Sequence, residues 1–542
     1  MALALGRRSP LWIAVPATVA ALALAPIVFV AAHLLDVPVQ TVSHLVNTVL
    51  PRYALNTVVL LAGSMALSLL FGVCAAWLVS AYDFPGRRLF EGALLLPLGL
   101  PPYIAAFAYA GIFGYTGPLQ VFFRNTLKLQ AYPVIEVMSL GGALFVLGSV
   151  LYPYVYLAAR SAFRAQAGPV LEVARSLACS PGRALGRLLL PLARPALVGG
   201  LALVGMEVLS DYGTASYYGV DTFTTAILRT WLSRGRAGEA AHLAGWLLAL
   251  VGGLLLLERL LRGEARFALH PGQARPAVPA RLRGPTAAAA AALCAVPVAA
   301  GFLLPVSQLL WWAVLSWGRT RLALAGPAFN SALLAVSATA LILVLAVLLS
   351  YAARLAGGGW RSATLRLATL GYSIPGPVLA LGVMLPVAWF DHRLANALEA
   401  LTGQPSGLLL SGTPLVLLGA IAVRFLAVAY HPLEAGLERT ARRAGEVALS
   451  LGHSPLGSLL RVELPLLAET VAFAGLVVCL EALKELPLTL ILRPFNFHTL
   501  ATRAYELAVD EQLPAASHGS LLIAAIGTLI VLALNRMARR RS

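Results

Sequence analysis

Glu207 and Asp211 stand four residues apart inside an apolar run, and Glu481, Lys484 and Glu485 repeat the pattern in a second run. Acids at this spacing share one face of a helix. Ionisable groups within a bilayer are costly and usually face a bundle interior or a watery cavity. Two chemistries fit. In one, Lys484 pairs with Glu481 or Glu485 and the charges are structural. In the other, the acids line the exit from an outer vestibule and briefly meet a cationic substrate. Hard trivalent cations prefer oxygen ligands, so Glu207, Asp211, Glu481 and Glu485 suit transient contact with iron rather than a stable metal site. Glu481 lies about twelve residues, roughly 18 Å, into its span, towards the outside. Tyr212, Tyr217 and Tyr218 follow the first pair, as pathway residues or as interfacial aromatics.

Other chemistry finds no residues to carry it. A P-loop needs a lysine followed by Ser or Thr, but Lys128 precedes Leu129 and Lys484 precedes Glu485, and the chain has no other lysine. There is no HExxH. Gly452-His453-Ser454 begins like a nucleophile elbow, but Leu456 occupies the second glycine position. Cys74, Cys179, Cys294 and Cys479 show no CxxC spacing and read as packing residues. No enzyme activity is expected, and no cofactor bound by this chain.

The elements that position these residues are membrane helices. The chain is 542 residues long, 59% hydrophobic and 12% charged. Apolar runs of about 20 residues recur from end to end, long enough to cross a bilayer. They are continuous rather than alternating, which favours helices over a barrel. Twelve spans are predicted: 11–32, 53–79, 89–114, 139–159, 195–215 and 240–258, then 287–316, 329–352, 367–390, 411–430, 469–492 and 517–535. Arg7 and Arg8 precede the first, which reads as a retained helix with a cytoplasmic start.

The net charge of +17 raises nucleic acid as a partner, but the basic residues sit in short runs between spans and form no arm. They set topology instead. Of the 40 Lys and Arg, 28 fall on one side, from Arg7 through the run Arg424 to Arg461 and on to Arg541, 11 on the other, and Lys484 within a span. This bias puts both termini in the cytoplasm. A stretch rich in Arg, Pro, Ala and Gly, 262–285, reads as a cytoplasmic linker between domains 1–261 and 286–542.

The two halves align at a constant offset of 274 residues. Asn56 meets Asn330, Arg87 meets Arg361, Pro101 meets Pro375, Glu172 meets Glu446 and Glu207 meets Glu481. Phe223, Thr225 and Arg229 meet Phe497, Thr499 and Arg503. A fixed register means duplication. Six spans separate equivalent points, so the repeat is parallel, and a path between the halves is expected. Pro101 and Pro375 interrupt equivalent spans, as packing kinks or gating hinges.

Two long loops on the cytoplasmic side also correspond. LEVARSLACSPGRALGRLLLP spans 171–191 and GEVALSLGHSPLGSLLRVELP spans 445–465. Val173 and Leu177, like Val447 and Leu451, fall four apart on one face. Ser180-Pro181 and Ser454-Pro455 then break the pattern and start a second helix. Each loop reads as a helix–turn–helix elbow, with Glu172 and Glu446 near a helix start.

Here the chain resembles the permease subunits of binding-protein-dependent ABC importers. Their EAA motif runs Glu-Ala-Ala, three residues, Gly, nine residues, Ile-x-Leu-Pro. Glu446, Ala448, Gly452, Leu464 and Pro465 match it, with Val462 at the Ile position. Glu172, Ala174, Leu190 and Pro191 match in the first loop, where Ala178 replaces the Gly. The segments MEVLSDYGTASYYGVDTFTTA (206–226) and LKELPLTLILRPFNFHTLAT (483–502) resemble the two halves of ferric-iron permeases, except that His498 stands where an acid is common.

The resemblance implies an all-α, MetI-like fold of type I importers and an inner-membrane location. It implies that the elbows insert into a cytoplasmic ABC ATPase dimer carrying ATP and Mg, and that a periplasmic iron-binding protein delivers substrate. Fused permeases for thiamine or phosphonate share the architecture. An ion-coupled secondary transporter, with the acids as relays, is the rival of another class.

Overall fold

The computed structural model describes the chain except residues 1–9, 34–44, 129–135, 177–179, 234, 263–278, 319–323, 357–359, 405–406, 408 and 541–542. Most of the expected linker, and Ala178, lie outside the described residues. The rest is mostly helical, with one two-residue parallel strand pair, Tyr82–Asp83 with Ala280–Arg281. Among the described residues ten helices are long and apolar enough to cross a bilayer, and the number is twelve if each of two sharply bent helix pairs is one span.

The long helices of the first half are α1 Pro10–His33, α2 Leu50–Ala81, α3 Pro102–Phe113, α4 Leu140–Ser176, α5 Leu190–Ser210 and α6 Ala237–Arg262. In the second half α7 Pro285–Val298 and α8 Leu304–Leu315 form one span, followed by α9 Ala325–Ala356, α10 Gly376–Thr402 and α11 Pro414–Gly436. The elbow helix α12 Arg442–Ser450 comes next, then α13 Ala468–Lys484, α14 Leu500–Val509 and α15 Leu513–Arg540.

Lipid tails are as apolar as Leu, so helix association in a bilayer depends on close packing and interhelical hydrogen bonds. The pairing of α2 with α4 shows both. Ser68 donates to the Gly148 carbonyl at 3.0 Å and Ser64 to the Leu144 carbonyl at 3.4 Å. One turn on, a Cβ at Gly72 would lie 2.9 Å from the backbone nitrogen of Tyr156, so only glycine permits this approach.

The first helix of each half packs on the other half. α1 lies on α9, α10 and the helix Trp360–Thr369, while α7 and α8 lie on α2 and α3; each first span also touches the last helix of its own half, α6 and α15 respectively. Corresponding carbonyls make the contact in each half. The Pro26 carbonyl sits against Gly382, where a Cβ would be 2.5 Å away, and the Ala300 carbonyl accepts from the Tyr109 hydroxyl at 2.6 Å. Pro26 and Ala300 are 274 residues apart, so the exchange follows the internal repeat.

Several span boundaries differ from the sequence expectation. The third span, expected as one helix over 89–114, bends by 95° between Arg87–Gly99 and Pro102–Thr126. Pro101 and Pro375 are not kinks within helices. Both are extended residues, with ψ 139 and 140, from which new helices start. A residue before proline is disfavoured in the helical region, and Pro102 follows Pro101 directly. The fourth span, expected to stop at 159, runs unbroken to Ser176.

Asp391 lies past the expected end of the ninth span, in a helix that continues to Thr402. Its carboxylate is buried and accepts from the backbone amides of Leu409, Leu410 and Ser411 at 2.7 to 3.0 Å. Asp391→Ala is expected to free these amides and raise their hydrogen-exchange rates at least about tenfold. Unchanged exchange at 409–411 would show that the loop is held by other contacts.

Candidate functional site

The helices carrying the membrane acids both break at the second acid. α5 ends at Ser210, and Asp211 is extended with φ −67 and ψ 125. α13 ends at Lys484, and Glu485 is extended with φ −64 and ψ 116. The fifth and eleventh spans, expected to continue to 215 and 492, therefore stop here. Each carboxylate then satisfies amides freed by the break. Asp211 accepts from the Thr214 hydroxyl at 2.9 Å and the Ala215 amide at 3.0 Å. Glu485 accepts from the Leu488 amide at 3.0 Å.

The breaks from the two halves face a common, narrow cavity of about 80 Å³. Glu207, Asp211, Tyr212, Glu481, Lys484 and Glu485 all line it, beside Pro101 and Arg424. Lys484 Nζ lies 2.9 Å from Glu481 Oε1. Glu207 accepts from the Tyr372 hydroxyl of the other half at 3.2 Å. The ion-pair geometry and the cavity lining thus occur together. Among the described residues, no three His, Cys, Asp or Glu side chains come together to hold a metal.

Arg424 is a correction. Counted with the basic cytoplasmic loop, it lies within α11, is buried, and approaches Glu485 to 3.4 Å. The signal was present, because 424 falls inside the predicted tenth span. Moving it leaves 27 basic residues against 11, so the charge bias survives. Tyr372 carried no sequence signal, since its contact with Glu207 crosses between halves. Tyr217 and Tyr218 pack inward: Tyr217 lies on Phe107 at 4.6 Å, and the buried Tyr218 donates to the Ala106 carbonyl. Neither sits as an interfacial anchor.

The repeat register also changes beyond the cavity. Asn56 donates to the Asp221 carbonyl at 2.9 Å, and Asn330 to the His498 carbonyl at 3.0 Å. Thr57 accepts from the Phe223 amide and Ser331 from the Leu500 amide. Thr222 with Thr225, and Thr499 with Thr502, form capping boxes. These pairs are 277 residues apart on the later partner, so the second half has three extra residues. Phe223, Thr225 and Arg229 therefore correspond in space to Leu500, Thr502 and Glu506, not to Phe497, Thr499 and Arg503. An acid–base pair is inverted as a result: Asp221 with Arg229 at 3.0 Å becomes His498 with Glu506 at 3.2 Å.

The second elbow has the expected turn chemistry. α12 ends in Gly452 at φ +88, with the His453 amide bonded to Ala448 O and the Gly452 amide to Leu449 O. This pair of bonds is the Schellman arrangement, which favours glycine at the left-handed position. Ser454 then caps the next helix through the Gly457 amide at 3.1 Å. Val447 and Leu451 are 57% and 76% exposed, so the apolar face is presented outward. Ala448 is buried, Leu464 half-buried and Pro465 exposed.

Glu446 lies in the middle of α12, and Glu172 lies near the end of α4. Neither starts a helix, so capping does not explain them. α4 also carries Ala174, and Leu190 and Pro191 open α5. A five-residue π-turn precedes the Leu-Pro step in each elbow, at Leu185–Leu189 and Leu459–Glu463.

No family model matches the chain. The Fe(3+)-transport system permease protein FbpB 2 of Haemophilus influenzae is 26% identical over 544 residues, covering 98% of this chain and 99% of the relative. The sulfate transport system permease protein CysW of Escherichia coli is 28% identical over 160 residues, 30% of this chain and 53% of the relative. A probable molybdenum ABC transporter permease protein of Haloferax volcanii is 27% identical over 228 residues, 41% of this chain and 80% of the relative. This duplicated, multi-pass helical membrane protein, with its two motif-bearing elbows, is thus similar from end to end to a transport permease, and its homologues are ABC transporter permeases.

Proposed function

We propose that this chain translocates ferric iron as the permease of an ATP-driven importer in a bacterial inner membrane, with both termini in the cytoplasm. The observation that carries the reading is the convergence of Glu207 and Asp211 with Glu481 and Glu485 in one cavity between the halves. Four carboxylates face two basic groups there, and both basic groups are already engaged by acids. An oxyanion of the kind named for the sulfate relatives would meet this acidic lining unfavourably, whereas a cation would be attracted.

Lys484 and Arg424 hold Glu481 and Glu485 while no cation is present. A passing ferric ion competes for the same oxygens, so contact is brief and the path returns to its paired state. Units 1–261 and 286–542, joined by 262–285, rock against each other to expose the cavity to either side. The force comes from a separate ATPase dimer, which holds ATP and Mg and receives the exposed face of Val447 and Leu451. A periplasmic iron-binding protein supplies the substrate.

Reconstitution with the ATPase and binding protein tests the reading. Vanadate-sensitive uptake of ferric iron, exceeding that of thiamine, phosphonate, sulfate and molybdate, is expected. Preference for another solute would reject iron. Uptake by the chain alone, driven by a proton gradient, would instead establish an ion-coupled secondary transporter.

A further inference from the structure

The three extra residues of the second half lie between its helix break and its capping box, and they alter one aromatic side chain. Each half has a left-handed residue three positions before the capping threonine: Gly219 at φ +67 and Asn496 at φ +65. The residue before it is aromatic in both, Tyr218 and Phe495. Tyr218 is 4% exposed, with its hydroxyl donating to Ala106 O at 3.0 Å. Phe495 is 95% exposed. Equivalent aromatics are thus tucked into the first half and everted from the second.

The everted tip is braced. The Phe497 amide bonds to the Pro494 carbonyl at 3.1 Å and closes the turn. Beneath it the Arg493 guanidinium contacts His498 Nδ1 at 2.7 Å, Thr502 Oγ1 at 3.3 Å and the Glu506 carboxylate. Asn tolerates the left-handed backbone that Asn496 adopts better than most residues. A backbone held this way loses little further freedom on contact, which lowers the entropic cost of binding.

We propose that Phe495 is a one-sided docking anchor for the soluble protein that delivers substrate at the outer face. The proposal rests on the importer reading above, though not on iron as the cargo. Two observations define the partner's chemistry. An exposed aromatic ringed by charged groups has the anatomy of an interface anchor within a polar rim, so the partner has an apolar notch. The rim is basic: Arg493 and Arg503 share Glu506, and on the other half Arg52 and Arg229 share Asp221. Each of these two clusters therefore carries one guanidinium in excess of its carboxylate, which fits carboxylates on the partner.

A basic rim on both halves lets an acidic partner approach in two orientations related by the repeat. Only one of them buries Phe495. The knob therefore selects the orientation, by leaving an apolar ring in water in the wrong one.

Two measurements on the full chain test this. p-Benzoylphenylalanine is placed at 495 in intact cells and irradiated. The expected adduct is a soluble outer-face protein; an adduct to lipid, or none, overturns the proposal. The captured protein is then purified and titrated into proteoliposomes holding the permease and its ATPase. Phe495→Ala is expected to raise its half-saturating concentration at least about tenfold, with maximal uptake and basal ATP hydrolysis unchanged. Phe495→Trp stays within about threefold of wild type, since a large anchor is retained. Equal half-saturation for wild type and F495A overturns the proposal. A captured protein that carries a cargo other than ferric iron refutes the iron reading and leaves the docking result standing.

Discussion

Glu207→Gln is expected to cut ferric uptake about tenfold while leaving assembly and ATP turnover intact. Among the described residues Glu207 has no ion-pair partner, and its side chain accepts from the Tyr372 hydroxyl at 3.2 Å. A glutamine carbonyl accepts the same hydrogen bond, so the substitution removes charge with little change in packing. A structural account of the membrane acids predicts almost no effect at this position. A pathway account predicts slower passage of a cation.

Adding Glu481→Gln extends the loss to about a hundredfold, because each half then lacks one carboxylate. The double variant also leaves Lys484 without the acid it contacts at 2.9 Å. That group adds repulsion toward an incoming cation. Detergent melting of E207Q alongside the uptake assay separates the two accounts. Wild-type uptake in E207Q would reject the pathway role, and a large fall in melting temperature would assign the residue to structure.

Reversing both elbow acids, with Glu172→Arg and Glu446→Arg, is expected to lower uptake more than about a hundredfold while ATP hydrolysis by the partner continues. In the proposed mechanism the elbow acts as a rigid lever. The Schellman turn at Gly452 and the cap at Ser454 fix the angle between its helices. Val447 and Leu451 then offer an apolar face with the acid beside them. Because α4 runs without a break from the fourth span to Ser176, movement at the first elbow reaches the membrane through one helix. Reversing Glu446 alone should cost more than reversing Glu172 alone, since Gly452 suits the left-handed turn and Ala178 replaces it in the first loop. Uptake and hydrolysis measured in the same proteoliposomes decide the matter. Normal uptake in the double variant would sink the lever model.

These expectations draw unequally on sequence and structure. The elbows were legible because their determinants are local: Ser454-Pro455 starts a helix and Gly452 ends one wherever they occur. The paired acids were legible because charge in an apolar run stands out. Arg424 falls inside the predicted span 411–430 but is counted with the basic run that follows it; its burial and its contact with Glu485 place it in the interior. The breaks at Pro101 and Pro375 were visible as prolines, yet a kink and a fresh helix start have the same sequence.

Composition and periodicity alone determined that the chain is a duplicated bundle of membrane helices, because a bilayer demands internal hydrogen bonding and a repeat preserves its spacing. The tertiary structure decided which half each first helix packs on, where the register shifts from 274 to 277, and that four acids share one cavity. Those facts depend on contacts between residues more than 160 positions apart, such as Glu207 with Tyr372 and Asn330 with His498. Local propensity holds no record of such contacts, since close packing across halves is a property of both surfaces at once.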